Sequence, residues 1–213
     1  ICLHPDFAYA AVHTKDQGVL IIAKELVEQV MDTLDITDYS LIKEFRSQEL
    51  ENKKCKHPIY ERDSLIILGT HVTLEAGTGC VHTAPGHGED DWIVGKQYSL
   101  DSYSPIEDNG VFSKNVGEFA GEFIFKANKQ INEKLETLKL LLKNENLSHS
   151  YPHCWRCKQP VIYRATPQWF ISMDKLGLRQ KSLEAINQVK WIPSWGRERI
   201  YSMIENRPDW CLS

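Results

Sequence analysis

The sixteen residues Gly77-Thr-Gly-Cys-Val-His-Thr-Ala-Pro-Gly-His-Gly-Glu-Asp-Asp-Trp92 hold four glycines, two threonines, two histidines, three consecutive carboxylates and a proline. Those residue types can do chemistry. A carboxylate can hold a cation through charge-assisted hydrogen bonds, and a histidine can act as a base or as a polar wall. Each also has a plainer use. Asp91, like Glu89 and Asp90, sits where acidic side chains complement the dipole of a helix start. His82, alone on a strand, has the type of a satisfied structural histidine. Thr78, Thr83 and the backbone of Gly77–Gly79 suit a pocket lining and a tight buried strand equally, and His87 suits a helix cap as well as a ligand contact. No Ser-His-Asp or Cys-His arrangement is evident, so a covalent intermediate is not expected. The glycines are wrongly spaced for a dinucleotide fingerprint, and no Gly-Lys-Ser/Thr follows for a phosphate loop.

A second constellation is His153-Cys-Trp-Arg-Cys-Lys158. Cys154 and Cys157 have zinc-knuckle spacing but supply half of a tetrahedral site. His149 and His153 are local candidates to complete it, and Cys55 with His57 is a distant pair. A redox role is weaker, because no βαβ unit surrounds the pair. Trp155, Trp169, Trp191, Trp195 and Trp210 suit packing better than stacking on bases. Arg156, Lys158 and Arg164 form the best basic patch for phosphates.

These residues need elements to position them. Gly79 to Ala84 reads as a short buried strand, Pro85–Gly88 as a turn needing special backbone angles, and Glu89 onward as an amphipathic helix presenting Trp92, Ile93, Gln97 and Tyr98. Upstream, residues 6–13 and 18–22 read as a hairpin, Lys24–Leu34 as a helix, and Tyr39–Phe45 as a strand. Leu65–Leu68 and His71–Leu74 read as short strands leading into the site. Residues 46–63 are loop-like and 101–124 turn-rich. Phe125–Lys143 reads as a long helix with Ile131, Leu135, Leu138 and Leu142 on one stripe. Residues 149–173 return to β structure, and Lys175–Val189 and Gly196–Asn206 read as helices. The pattern is α+β, with no internal repeat.

The chain has 213 residues, 42% of them hydrophobic and 25% charged, as an ordinary globular protein has. No apolar run approaches the ~18 residues of a membrane span. No signal peptide opens the chain, and its first residue is Ile rather than Met, as expected of an excised fragment. Six cysteines are too few for a disulfide scaffold of this size and point to a reducing cytosol. A net charge of −4 argues against stand-alone, non-specific nucleic-acid binding.

The Gly77–Trp92 stretch resembles the signature of the editing domain (the CP1 insert) of bacterial-type isoleucyl-tRNA synthetases. Related valyl and leucyl enzymes typically carry APAHD- or TPAHD-like turns where this chain has Ala84-Pro-Gly-His-Gly88. The segments Ser150–Cys157, Arg164–Asp174, Trp191–Gly196 and Asn206–Ser213 resemble the same family, in the same order, from about Pro5 to the last residue.

The resemblance implies a small closed β-barrel with peripheral helices over residues 1–174, and a helical return segment toward the synthetic core over 175–213. It implies hydrolysis of mischarged valyl-tRNA(Ile), with valyl-adenylate as a second candidate substrate, and with the acceptor end of tRNA(Ile) and the rest of the synthetase as partners. It gives Asp91 the α-ammonium of the aminoacyl group. To His82 it gives the size limit of the pocket and contact with the terminal ribose, a general-base role ranking below these. Thr78, Gly79 and Thr83 become substrate-binding candidates. No cofactor is implied for editing. Some family members complete a zinc site at the Cys154/Cys157 position with a second cysteine pair. ATP and Mg belong to the parent's synthetic site, whose HIGH- and KMSKS-like motifs are absent here. So is the family's threonine-rich strand, which would precede the first residue and supply one wall of the site. The alternatives are a zinc-ribbon-like tRNA-binding insert without hydrolytic activity, a structural insert with a degenerate pocket and, less in keeping with the return segment, a stand-alone editing enzyme.

Overall fold

Val12, Tyr9 and Ile22 start the core: all three are buried, on strands joined by the tight turn ending at Gly18. The structure is a computed structural model that describes residues 1–146 and 148–212; Leu147 and Ser213 lie outside them, so the resemblance of the chain's ending is followed only to Leu212. Strands β2 (Ala8–Thr14) and β3 (Gly18–Ala23) form the expected hairpin, and β4 (Tyr39–Arg46) pairs antiparallel with the other edge of β2. Gly18 takes φ +72° to close the turn, and the Thr14 hydroxyl donates to its carbonyl at 3.1 Å. Helix α1 (Val27–Thr33), entered through a 3₁₀ turn at Lys24–Leu26, lays Leu26, Val30 and Met31 against this sheet.

A second sheet is shorter. β1 (Cys2–Leu3) lies between β7 (Ile67–Leu68), parallel to it, and β8 (Cys80–Val81), antiparallel. Cys2, Ile67 and Val72 pack there against Val94 of α2 (Glu89–Gln97). The Tyr98 hydroxyl fixes the far end of α2, accepting from Leu68 N–H at 3.2 Å and donating to Glu51 at 2.6 Å. Strands β5 (Lys54–Lys56) and β6 (Asp63–Leu65) make a separate hairpin, and α3 (Ile124–Thr137) follows a turn-rich stretch.

The chain divides into compact units at Ala165/Thr166. In the C-terminal unit, β9 (Trp169–Ile171) pairs antiparallel with β10 (Trp210–Leu212), around helices α4 (Leu178–Gln188) and α5 (Gly196–Glu205). The pairing with β10 draws residues 166–174, assigned from sequence to the first domain, into the second unit. Arg179 ties that unit together: its guanidinium pairs with Asp174 and also caps the Ile204 and Glu205 carbonyls at 2.7 and 3.0 Å.

The α+β class holds, but several expected details are corrected. Among the described residues no closed barrel forms: the strands lie in two open three-stranded sheets, the β5–β6 hairpin and the β9–β10 pair, and the central β1 is only two residues long. One backbone bond, Ala23 N–H to the Thr78 carbonyl at 2.8 Å, stitches the end of β3 to the segment before β8. His71–Leu74 is turn rather than strand. The strand expected over Gly79–Ala84 shrinks to Cys80–Val81, since Gly79 takes φ +72°. Helix α2 exists but buries Val94 and Gly95, leaving Trp92 and Ile93 exposed. Helix α3 stops at Thr137 because Lys139 turns left-handed at φ +57°, which leaves Leu138 and Leu142 outside the packed stripe.

Candidate active site

The backbone around Gly79 explains why the site begins there. The Tyr9 hydroxyl, buried in the first core, donates to the Gly79 carbonyl at 2.7 Å and accepts from His4 N–H at 2.9 Å. A Cβ on Gly79 would lie 2.4 Å from the Cβ of Ala23, so only glycine lets the segment lie on β3. At the turn, a Cβ on Gly86 would lie 2.4 Å from the Tyr103 carbonyl oxygen, and one on Gly95 would strike Pro85. The turn is therefore pinned between α2 and the 102–103 segment. Further bonds hold it from the other side: Ala165 N–H donates to Gly86 O at 2.7 Å, and the His87 ring nitrogen Nδ1 lies 2.9 Å from Tyr163 O.

Asp91 is the third residue of α2 after the N-cap Gly88, where a carboxylate can reach back past the helix start. Its Oδ2 accepts from Ala84 N–H at 3.0 Å, tethering the strand end to the helix. Its Oδ1 faces Nε2 of His71 at 3.9 Å. The carboxylate is neither a free surface charge nor sealed: its side chain keeps 22% of its exposure. Glu89 and Asp90 are exposed, as expected from their positions on the helix.

His82 lies at the open side of the site. Partial desolvation holds its pKa below the usual imidazole value; the Ile1 ammonium, and more weakly Arg62 and His87, lower it further, and the Asp91 charge opposes them. The imidazole is thus biased toward its neutral form, and it feels Asp91 electrostatically. His57 is lowered too, mainly by burial, and its Nδ1 accepts from Ile59 and Tyr60 N–H at 3.1 Å.

Thr78 turns inward on its own loop: its hydroxyl accepts from Cys80 N–H at 3.3 Å and lies 3.4 Å from the Cys80 carbonyl. The Thr83 hydroxyl donates to the Val81 carbonyl at 3.4 Å. Both are occupied locally. The structure thus groups Asp91, His82 and the Gly79 backbone around one turn, and adds His71, which sequence reading missed.

Residues 9–213 match the family model described as tRNA synthetases class I (I, L, M and V). The chain belongs to this synthetase family. It is 55% identical over all 213 residues to the isoleucine–tRNA ligase of Syntrophotalea carbinolica and 53% identical to that of Syntrophomonas wolfei, covering 23% of each protein. The corresponding ligase of Geobacter sulfurreducens is 50% identical, again over 23% of its length. The chain thus spans about a quarter of the length of these relatives. A solved structure described as GlLeuRS-CP1 aligns with TM-score 0.53 over 68% of this chain and 78% of that one, at 15% identity, a likeness of fold alone.

Elsewhere in this synthetase chain, the Cys154–Cys157 loop is closed by Lys158 N–H to Cys154 O and Cys154 N–H to Gln159 O, both at 2.8 Å. Backbone N–H groups of Cys157 and Arg156 point at the Cys154 sulfur and lower its pKa. Two sulfurs in such a loop fit half of a zinc site, but among the described residues no third ligand gathers with them. Four-coordinate zinc would need further donors, and no step of the chemistry below passes through it.

The basic patch is smaller than expected. Arg164 donates to the Ile106 carbonyl at 2.7 Å and pairs with Asp108, so it is committed to folding. Arg156 and Lys158 remain exposed, and Arg156 stacks over Trp155 at 4.8 Å. Trp155, Trp169, Trp195 and Trp210 are exposed rather than packed, and Trp191 is half-buried, its indole donating to Ile186 O at 2.9 Å. No helix among the described residues is long and apolar enough to cross a membrane.

Proposed function

We propose that this chain is the editing domain of an isoleucyl-tRNA synthetase and hydrolyses valine wrongly esterified to tRNA(Ile), with clearance of valyl-adenylate as a second activity of the same site. The observation that carries the reading is Asp91: one carboxylate oxygen is fixed by Ala84 N–H while the side chain stays partly exposed beside a polar, neutral-biased His82. Every aminoacyl-tRNA presents an α-ammonium next to its ester, and a carboxylate of fixed orientation is the natural anchor for it. Similarity to isoleucine–tRNA ligases over the whole chain supports the choice of tRNA and amino acid.

The need for such a site is energetic. One methylene in an apolar pocket is worth only about 1–3 kcal/mol, a limit for which isoleucyl enzymes are themselves the standing example. Valine therefore enters any pocket that accepts isoleucine, and a second, smaller site must remove it. His82 and the glycine-bearing strand end set that size limit. Water adds to the ester carbonyl, the bond to the terminal ribose oxygen breaks, and that oxygen leaves as a hydroxyl after taking a proton, giving free valine and tRNA. An activated ester held in register needs positioning more than a strong nucleophile. The tRNA acceptor end and the rest of the synthetase are the partners, and the cytosol is the setting.

The test is deacylation of Val-tRNA(Ile) and Ile-tRNA(Ile) by the full-length synthetase. Release of valine but not isoleucine, abolished by Asp91→Ala, is the expected result; valine release surviving in Asp91→Ala overturns the assignment.

A further inference from the structure

We infer that His71 is a positioning residue that orients Asp91 for the substrate ammonium, an inference that rests on the editing reading above. Its Nε2 is buried without a hydrogen-bond partner among the described residues and faces Asp91 Oδ1 at 3.9 Å. A buried polar nitrogen without a partner is costly, and this one faces a carboxylate that can accept from it. A closure of about 1 Å turns the contact into an ordinary N–H···O bond.

The seat of the ring is built for it. His71 follows β7 in a turn, and a Cβ on Gly69 would lie 2.8 Å from its Cε1 and 2.9 Å from its Nδ1. Glycine at position 69 leaves the imidazole room between β7 and α2. Asp91 is then held from two sides, Oδ2 by Ala84 N–H and Oδ1 by His71. A carboxylate has about four lone-pair directions, so the two not used remain for an ammonium approaching from the exposed side. Side chains that orient a binding group in this way commonly matter about 10–100-fold to the site they serve.

The experiment uses the full-length synthetase with His71→Leu, which removes the donor without overfilling the seat, and His71→Gln, which restores an N–H donor. In His71→Leu, kcat for Val-tRNA(Ile) hydrolysis falls about 10-fold or more while KM for the tRNA and the isoleucylation rate stay unchanged. In His71→Gln most of the rate returns. Unchanged hydrolysis in His71→Leu overturns the inference, and so does an equal loss in both variants, which marks a packing role alone. Wild type and Asp91→Ala run alongside: if the wild type releases no valine, or Asp91→Ala still does, the editing reading fails rather than His71.

Discussion

The sheet β3-β2-β4 with α1 and the turn from Gly77 to Asp91 are neighbours built on different principles. The first is held by apolar periodicity: Tyr9, Val12, Ile22, Leu26 and Met31 bury themselves in one cluster. The second has almost no apolar core of its own. It is held by glycines that admit close backbone approach and by side chains bonded to backbone, Tyr9 to Gly79, Asp91 to Ala84 and His87 to Tyr163. The sheet supplies stability, and the turn spends its polar groups on geometry. Damage to the first should unfold the protein, whereas damage to the second should alter chemistry or local position.

The largest stability effect should come from the sheet. Ile22→Ala removes a fully buried side chain from the cluster and should cost about 2–5 kcal/mol in denaturant unfolding. A loss below 1 kcal/mol would erase the distinction between the regions. Gly79→Ala strikes where they meet: the new Cβ must displace Ala23 on β3 from a left-handed backbone position. Overpacking of this kind costs about 1–3 kcal/mol, and editing should fall further than stability because the turn shifts. Tyr9→Phe removes the hydroxyl that links the core to Gly79 and leaves the His4 N–H without its partner, at about 1–3 kcal/mol.

Smaller effects sharpen the contrast. Both His57 and His82 have pKa values below the ordinary 6.5, His57 mainly through burial and His82 through partial desolvation together with nearby positive charge. The unfolded chain therefore binds protons more readily than the folded one as pH drops through 6.5. Stability from these groups is full above that value and declines toward their lowered folded pKa values. Unfolding measured between pH 7.5 and 5.5 should show this slope, and His82→Gln should reduce it. The smallest effect is expected for Lys24→Ala, which breaks an exposed 2.7 Å pair with Glu44 on the sheet surface and should cost under about 1 kcal/mol.

The same contrast decides what the sequence made legible. The hairpin 8–23, α1 and β4 follow from apolar spacing and a Gly18 turn, so they were readable at nearly their true limits. The helix bearing Asp91 was readable from its acidic first turn, but its buried face was not. Trp92 and Ile93 carry the pattern that suggests an amphipathic helix, yet both are exposed, and Gly95 against Pro85 marks the side that turns inward. His71 was hidden in a Val-Thr-Leu context that reads as strand; the signal available was Gly69-Thr-His71, a glycine two residues before a histidine at a strand end. That Arg164 is spent on Ile106 and Asp108 could not be read locally, because its partners lie more than fifty residues away.

Asp91 tests the account most directly, because a single carboxylate is given two tasks, tethering Ala84 and anchoring an ammonium. Asp91→Asn separates them: the amide oxygen can still accept from Ala84 N–H, but the charge is gone. Hydrolysis of Val-tRNA(Ile) by the full-length synthetase should fall about 100-fold, the loss of roughly 2–3 kcal/mol of charge-assisted binding, with the unfolding midpoint unchanged. Hydrolysis at the wild-type rate in Asp91→Asn would contradict the claim that this carboxylate holds the substrate.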